Sequence, residues 1–322
     1  MKFFWRRVHE RLRSGENVFV ALVVKHTIHS PGTTGARLAV FESEEIIGTI
    51  GGGVMERNLV GVATEALRTG RYEPTLRALV HREDGEGEKS GMMCAGEQTN
   101  LYYLFDPRTH LNVFQAVSES EEKGHAGVLR FSSSNIEFEP GFMDSQIGQY
   151  HLNTSSDAWT YSEQLLNLRR VGILGGGHCG LALSRTLGQL GYHVSIVDDR
   201  VELTTMQRNT FADKKVTVSD MEEAASRLDY PEITQVFVMT TDVKSDLLAL
   251  KGALARPFPF IGIMGSQAKI GNIKKALRGE GILDDQLARL TGPVGLPIQS
   301  QTPDEIAISV AAQLLERRGR SA

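Results

Sequence analysis

A glycine loop in the second half of the chain carries the clearest chemical pattern of the sequence. Gly175, Gly177 and Gly180 have the spacing G-x-G-x-x-G, directly after a short apolar run at 171–174. In this spacing the first glycine permits a tight turn, the second lets the backbone approach a pyrophosphate, and the third lets a helix pack on the strand. Asp198 follows about 20 residues later, where an acidic side chain can bind a ribose hydroxyl. This order predicts a Rossmann unit that holds a phosphate-bearing ligand at a helix N-terminus.

Two side chains inside the same loop allow more than one interpretation. His178 could hydrogen-bond a ligand, or it could point into solvent. Cys179 occupies a position that tolerates a small side chain, which favours a packing role over a reactive one. The loop itself could belong to a Rossmann scaffold that binds no dinucleotide, because a fold does not determine a function.

A second glycine-rich segment joins a predicted strand to a predicted helix in the first half of the chain. Its three consecutive glycines, Gly51, Gly52 and Gly53, leave backbone N–H groups free to form an anion-binding nest. Glu56 falls in the first turn of that helix. It could take part in a binding site, or it could cap the helix and interact with its dipole. A tight turn under close packing is the alternative interpretation of the glycines.

Cys94 is the candidate reactive side chain of the first half of the chain. It precedes an Ala-Gly pair at a predicted loop-to-strand junction, where a thiol can be exposed and its pKa lowered. The alternative is a small buried hydrophobic side chain, as is usual for free cysteine. Cys179 is the other cysteine of the chain, so neither a zinc site nor a disulfide framework is expected.

A third junction between a predicted strand and a predicted helix contains Gly265 and Ser266, with Lys269 one helical turn further. The backbone of this junction can present N–H groups, and the lysine ammonium could contact an anion there. A solvated position on the helix face is the alternative for Lys269.

The pattern of apolar residues divides the chain near residue 155 into two predicted domains, 1–155 and 156–322. After residue 168 strands and helices alternate, which predicts a Rossmann-like, doubly wound parallel sheet in the C-terminal domain. The N-terminal domain mixes strands and helices, an α/β or α+β arrangement. Residues 132–160 are rich in Ser, Asn, Gly and Asp, so short strands and the linker between the domains are expected there.

Composition places the chain among ordinary globular proteins. Of its 322 residues, 41% are hydrophobic and 23% are charged, which suits two domains with sizeable cores. The net charge of −4, without basic blocks, argues against nucleic-acid binding. The apolar run at 18–24 is too short to span a bilayer and lacks a signal-peptide cleavage site, so no membrane association is expected. Two cysteines fit a reducing cytoplasm and are too few for the four ligands of an iron–sulfur cluster.

Taken together, these motifs make the chain resemble the XdhC/CoxI family, accessory proteins of molybdenum hydroxylases such as xanthine dehydrogenase and aerobic carbon monoxide dehydrogenase. The resemblance covers nearly the whole chain. It depends on these segments: Gly35-Ala-Arg37, Gly48-Thr-Ile-Gly-Gly-Gly-Val-Met-Glu56, Met93-Cys94-Ala-Gly96, Gly175-Gly-Gly-His-Cys-Gly180, Asp198-Asp-Arg200, Ile261-Gly-Ile-Met-Gly-Ser266 with Lys269, Pro293-Val-Gly-Leu296 and Thr302-Pro-Asp-Glu-Ile-Ala-Ile-Ser309. The family usually has Cys-Gly-Gly where this chain has Cys94-Ala95-Gly96.

The resemblance implies that the chain binds the molybdenum cofactor (molybdopterin), protects it during sulfuration and delivers it to a xanthine dehydrogenase-like hydroxylase. It also implies a cysteine desulfurase as a partner and a cytoplasmic homodimer as the assembly. Cys94 would then be the catalytic residue, which ligates molybdenum or carries the transferred sulfur. The amphipathic helix at 3–12, which begins with three aromatic residues, is one candidate for the dimer contact. Packing of that helix on its own domain is the other interpretation.

An NAD(P)-dependent oxidoreductase is the alternative function, because a Rossmann unit also suits a nicotinamide cofactor. Such an enzyme needs a proton donor and a substrate clamp near the nicotinamide. No His-Asp or Tyr-Lys pair in the sequence has a spacing that indicates one. We therefore expect a cofactor-binding chaperone rather than a catalyst. Its cofactor is expected in the cleft between the two domains, near the carboxyl ends of the Rossmann strands.

Overall fold

The computed structural model describes residues 4–80, 88–89, 96–144, 148–156 and 158–320. The chain forms two compact units, Met1–Leu166 and Asn167–Ala322. Within the described ranges, no helix is both long enough and apolar enough to cross a membrane.

The first unit is built around a mainly antiparallel sheet of six strands in the order β3-β2-β1-β6-β4-β5. Among the described strands of this sheet, β4 and β5 pair in parallel and the other pairs are antiparallel. Its elements are α1 (Phe4–Arg13), β1 (Val18–His26), β2 (Arg37–Phe41), β3 (Ile46–Thr49), α2 (Gly53–Thr69), β4 (Thr75–Val80), β5 (Glu88–Lys89), β6 (Glu97–Phe105) and α3 (Pro107–Lys123). Antiparallel pairing with separate helices makes this unit α+β, which is one of the two arrangements, α/β or α+β, that the sequence predicts.

Both faces of this sheet are covered, which explains the uninterrupted apolar run at 18–24. One face packs with α1 and α3, and the other packs with α2. Phe4 and Trp5 are buried in the first of these cores, where the indole ring stacks on Phe114 with 5.2 Å between centroids. The suggestion that these aromatic residues form a dimer contact is therefore wrong for Phe4 and Trp5, while Phe3 lies outside the described residues.

A second antiparallel sheet completes the first unit, with the order β8-β7-β10-β9. Its strands are β7 (Gly127–Ser132), β8 (Ile136–Pro140), β9 (Tyr150–Thr154) and β10 (Trp159–Gln164). Short strands thus occur within 132–160, and the predicted boundary near 155 falls between two strands that pair with each other. The edge strands β8 and β9 alternate apolar and polar residues, as half-buried strands do. Their apolar residues Ile136, Phe138, Tyr150 and Leu152 pack in or against the core of this unit.

The second unit confirms the predicted doubly wound parallel sheet, in the order β13-β12-β11-β14-β15-β16. Its strands are β11 (Arg170–Leu174), β12 (His193–Asp198), β13 (Lys214–Thr217), β14 (Thr234–Val238), β15 (Phe260–Ile263) and β16 (Leu290–Thr291). Its α-helices are α4 (His178–Gln189), α5 (Thr204–Arg208), α6 (Val243–Leu254), α7 (Gln267–Gly279), α8 (Asp284–Ala288) and α9 (Pro303–Arg320). The strand order reverses between β11 and β14, the place where ligands bind in such sheets.

Helices cover both faces of the parallel sheet and account for its buried strands. The helices α4 and α9 pack on one face, and α6 and α7 pack on the other. The helix α4 begins at His178, inside the glycine loop and ahead of Leu181, the first residue of its apolar periodicity. Glycines carry no apolar signal, so periodicity alone places the start of this helix too late.

Candidate functional site

Two glycines of the loop after β11 are required by packing. Gly175 has φ +123°, and an added Cβ would lie 2.3 Å from the carbonyl oxygen of Met239. At Gly180 an added Cβ would lie 2.2 Å from the carbonyl oxygen of Gly175. The first glycine lets the loop pass the end of β14, and the third lets α4 close on the loop, as the spacing predicts.

Gly177 differs, because nothing in the surrounding protein requires a glycine there. Its φ of −67° suits any residue, and, apart from its own chain neighbours and helix backbone, no atom of the described residues lies within 4 Å of an added Cβ. It is the N-cap of α4 and supplies no side-chain hydrogen bond to the first turn. The N-terminus of this helix therefore keeps backbone donors that can meet an anion.

The two side chains that follow Gly177 differ in exposure. His178 is the first residue of α4 and is exposed, where it can reach a ligand at the helix start. Cys179 is half-buried and packs against the core formed by α4 and α9. Burial raises the pKa of the Cys179 thiol, so this cysteine behaves as a small apolar side chain.

Asp198, at the end of β12, is buried and bound to its own chain. Its Oδ2 accepts hydrogen bonds from the N–H of Gly176 at 2.6 Å and from Nη2 of Arg200 at 2.7 Å. Its Oδ1 accepts from the backbone N–H and the Nε of Arg200, at 2.9 and 2.8 Å. Burial opposes ionisation, but the hydrogen bonds from Arg200 and Gly176 prevail and lower the pKa of Asp198. The carboxylate is thus an anchor of the glycine loop.

The backbone of Gly176 is fixed by one hydrogen bond at its N–H and another at its carbonyl oxygen. Its N–H donates to Asp198, and its carbonyl oxygen accepts a hydrogen bond from the hydroxyl of Thr205 on α5. An added Cβ at Gly176 would lie 2.6 Å from the side chain of Met206. The loop is therefore preorganised before any ligand arrives, which lowers the entropic cost of binding.

The junction after β15 places Lys269 in an ion pair. The ammonium of Lys269 lies 2.5 Å from Oδ2 of Asp246, a residue that is buried on α6. The aliphatic part of the Lys269 side chain passes close to Gly265, where an added Cβ would lie 2.7 Å from Cδ of Lys269. Oδ1 of the same carboxylate accepts a hydrogen bond from Thr240 at 2.6 Å. Ser266 caps α7 by accepting a hydrogen bond from the N–H of Lys269. Lys269 thus combines an internal charge partner with a partly exposed ammonium.

The helices that follow β11, β14 and β15 begin at the same edge of the sheet and differ in how they are capped. The carboxylate of Asp242 caps α6 by accepting from the N–H of Ser245, and the hydroxyl of Ser266 caps α7. Among these three, only α4 has no side-chain cap. An external anion therefore meets the least competition at α4.

The glycine segment after β3 is filled by the side chain of Glu56. Its Oε1 accepts hydrogen bonds from the hydroxyl of Thr49 at 2.6 Å and from the N–H groups of Ile50 and Gly52, each at 2.8 Å. Burial opposes ionisation, yet these hydrogen bonds prevail and lower the pKa of Glu56. The carboxylate of Glu56 thus occupies the nest predicted for an external anion.

The three glycines of this segment all adopt positive φ, at +128° for Gly51, +81° for Gly52 and +71° for Gly53. Gly51 also packs against the neighbouring loop, because an added Cβ would lie 2.7 Å from Cβ of Pro31. The tight turn that is the alternative to a binding site at these glycines is therefore present here. It coexists with the nest, whose donors meet Glu56.

Three loops of the first unit meet at one end of its large sheet, and a buried glutamine joins them. The carbonyl oxygen of the Gln98 side chain accepts from the hydroxyl of Ser30 and from the N–H of Gly32, both at 3.0 Å. Its amide donates to the carbonyl oxygen of Ile50 at 3.1 Å. An added Cβ at Gly96 would lie 2.4 Å from the nitrogen of Ser30. We call residues 30–32, 49–53 and 96–98 the loop cluster.

Cys94 lies outside the described residues. Among the residues that are described, no three His, Cys, Asp or Glu side chains are grouped as metal ligands. The loop cluster nevertheless joins two segments that are distant in sequence, because the glycine segment and the strand that follows the Cys94 segment both contact residues 30–32.

Sequence reasoning missed Gln98, Arg200, Thr205 and Asp246. A signal existed for two of them. Gln98 lies in the polar first part of β6, Glu97-Gln-Thr-Asn100, directly before its apolar part, and an amide buried there needs hydrogen-bond partners. Arg200 stands two residues after the fingerprint acid, within reach of its carboxylate. Thr205 and Asp246 act across elements that are distant in sequence, and the sequence holds no sign of those pairings.

Two family models match the chain in the order of the two units. The model described as the XdhC Rossmann domain matches residues 171–314, and the model described as the XdhC and CoxI family matches residues 11–79. Together the two matched ranges cover more than half of the chain.

Two curated bacterial proteins are similar to about half of the chain. The Escherichia coli protein YqeB is 28% identical over 147 residues, which are 46% of this chain and 27% of that protein. A Bacillus subtilis protein, described as a probable xanthine dehydrogenase subunit, is 26% identical over 153 residues, which are 48% of this chain and 44% of that protein. The chain thus spans less than half the length of these curated relatives.

A solved structure from Bacillus halodurans, described as a xanthine dehydrogenase, resembles the whole chain. It covers 98% of this chain and 96% of its own, with a TM-score of 0.72 and 20% sequence identity. At this level of identity the likeness shows a shared fold.

Proposed function

The chain belongs to the XdhC and CoxI family, and from this we propose that it is an accessory protein in the maturation of a xanthine dehydrogenase-like molybdenum hydroxylase. In this proposal it binds the molybdenum cofactor as cargo, assists its sulfuration and hands it to the hydroxylase. It acts as a chaperone of the cofactor rather than as a catalyst of the hydroxylation. The name of the Bacillus subtilis relative supports the link to xanthine dehydrogenase.

The observation that carries the proposal is the open backbone at Gly177. The fold requires Gly175 and Gly180, but it leaves the space above Gly177 empty and the start of α4 uncapped. A phosphate or pyrophosphate, such as the one that molybdopterin or its dinucleotide form carries, fits a glycine at an uncapped helix N-terminus. We propose that Gly177 and His178 contact this phosphate, while Gly175, Gly180 and Asp198 hold the loop in shape.

We assign structural roles to the two other predicted contact regions, the glycine segment after β3 and the junction after β15. Because Glu56 already fills the nest formed by Gly51, Gly52 and Gly53, we assign this segment to shaping the loop cluster. Because Lys269 pairs with Asp246, we assign it, with Gly265 and Ser266, to the wall beside the phosphate. A partly exposed lysine that keeps a carboxylate partner can still attract an anion, although more weakly.

We assign the sulfur chemistry to Cys94. A cysteine desulfurase would supply sulfur as a persulfide, and the Cys94 thiolate would attack its outer sulfur and release the desulfurase thiolate. A thiolate can also ligate molybdenum, a soft-ligand role that suits cysteine. Cys179 is unsuited to either role, because it packs in the core and burial raises its thiol pKa.

Two cysteine variants test the proposal, with Cys179 as the matched control. We expect Cys94→Ser purified anaerobically from a cofactor-producing host to hold less molybdenum, and to fail to activate cofactor-free hydroxylase. Cys179→Ser should retain both properties, because its position requires only a small side chain. Metal analysis and a hydroxylase activation assay measure the two effects. Activation by Cys94→Ser equal to that by the unmodified protein would remove the sulfur role from Cys94.

We also propose that the protein works in the cytoplasm as a homodimer, on the basis of the family resemblance. Light scattering at micromolar concentration should then give twice the chain mass. A monomer mass under those conditions would contradict this part of the proposal.

A further inference from the structure

Asp198 stands where a dinucleotide-binding Rossmann domain contacts the adenosine ribose. That contact requires a carboxylate at the end of the second strand whose oxygens can accept from two ribose hydroxyls. An ionised carboxylate offers about four lone-pair positions. In this protein four hydrogen bonds from Gly176 and Arg200 already fill them. The carboxylate is also only 2% exposed.

A ribose could reach Asp198 only after the Arg200 side chain had moved away. Such a movement would break the contacts of Nε and Nη2, at 2.8 and 2.7 Å, which are charge-assisted and bidentate. The ribose hydroxyls are neutral donors and would replace them with weaker bonds. The exchange therefore costs free energy, and the arginine remains in place.

Arg200 is poorly suited to the other familiar role at this position, binding of the 2′-phosphate of NADP. The edge of its guanidinium that Nε and Nη2 form is already used by Asp198. The hydrogen bonds with Asp198 are the main cause that raises the pKa of Arg200, and the carboxylates of Asp199 and Asp242 add further negative charge around it. A further dianion at this position would be repelled by these groups.

We propose that Arg200 is a specificity-determining residue, which closes the ribose position of this Rossmann domain against NAD and NADP. The ligand of the glycine loop is then a phosphate or pyrophosphate compound that needs no ribose diol at Asp198. The proposal rests on the proposed function only in treating the glycine loop as a ligand site. It separates this site from that of a nicotinamide-dependent oxidoreductase on the same fold.

Removal of Arg200 should convert the site toward a nucleotide site. We expect Arg200→Ala to bind NAD at least about tenfold more tightly than the unmodified protein, because two acceptor positions of Asp198 become free. Arg200→Gln, which keeps most of the side-chain length, guards against loss of folding. Arg227→Ala is the matched control, because it removes an exposed arginine whose side chain pairs with Glu223. Titration calorimetry with NAD, NADP and inorganic pyrophosphate, after a thermal melt of each variant, measures the effects.

The outcomes separate this inference from the proposed function. A gain in NAD affinity in the Arg200 variants, absent in Arg227→Ala and abolished by adding Asp198→Asn, supports the inference. No gain in either folded Arg200 variant, or an NAD affinity of the unmodified protein equal to theirs, overturns it. NADP binding that is lost in Arg200→Ala also overturns it, by assigning Arg200 to the phosphate. Pyrophosphate binding tests the glycine loop alone. If pyrophosphate does not bind, the proposed function is contradicted, while the change in NAD affinity still tests the role of Arg200.

Discussion

The two glycine loops of this protein use the same local chemistry, but the backbone donors of one are filled by its own chain and those of the other are open. Each joins a strand to a helix and presents backbone N–H groups at the helix start. After β3 the donors are filled by Glu56, which stands in the first turn of α2. After β11 the first turn of α4 contains no acidic residue, and Gly177 is open. One acidic residue in the first helical turn thus separates a loop whose donors are filled by its own chain from a loop whose donors are open to a ligand.

The largest expected effect concerns a glycine that the fold requires. Gly175→Ala places a Cβ 2.3 Å from a carbonyl oxygen at φ +123°, so the backbone must shift. We expect the free energy of unfolding of the second unit to fall by about 3 kcal/mol. Urea denaturation measures this loss. Gly177→Ala is the matched control and should change stability by no more than about 0.5 kcal/mol. Equal losses in both variants would remove the distinction between the two glycines.

The next effect sharpens the claim that Gly177 is kept open for a ligand. We expect Gly177→Val to weaken pyrophosphate binding by about tenfold or more, because the branched side chain fills the space above the loop. Its thermal melt should stay close to that of the unmodified protein, since the space at an added Cβ is open in the described part of the chain. Titration calorimetry decides the point. An unchanged affinity would make the loop a scaffold turn like the one after β3.

The smallest effect tests the filled loop. Glu56→Gln keeps an acceptor but removes its charge, so we expect a loss of about 1 kcal/mol in the free energy of unfolding at pH 7. The pKa of Glu56 is lowered from its ordinary value of 4.5, so its carboxylate stabilises the fold above that pH. This contribution is lost as the pH falls through the lowered pKa, and the two proteins should then converge. A stability difference that does not depend on pH would show that the charge of Glu56 is irrelevant to the nest.

The sequence allowed the parallel sheet, the fingerprint loop and the order of its elements to be predicted, because each depends on local periodicity. The states of Asp198 and Glu56 were harder to predict. Asp198 was expected to face a ribose, yet the same spacing that places it at the strand end also brings Arg200 against it. Whether an acid binds a ligand or its own chain depends on hydrogen-bond geometry that composition and spacing do not specify.

The contact between Lys269 and Asp246 shows a second limit. The two residues lie on different helices, and only the parallel packing of β14 beside β15 brings them together. The sequence predicts a ligand contact or a solvated side chain for Lys269, and the structure adds a buried carboxylate partner. Pairings that depend on tertiary structure carry no local signature in a single sequence.

The position of Gln98 in the chain sets an order of events during synthesis. The loops at 30–32 and 49–53 leave the ribosome early, but their shared hydrogen-bond partner lies at the start of β6, a strand inserted between β1 and β4. Until that central strand emerges and pairs, the two loops have no buried amide to hold them. The loop cluster of the first unit therefore cannot be complete before β6 is in place, and a chain truncated before residue 98 cannot assemble it.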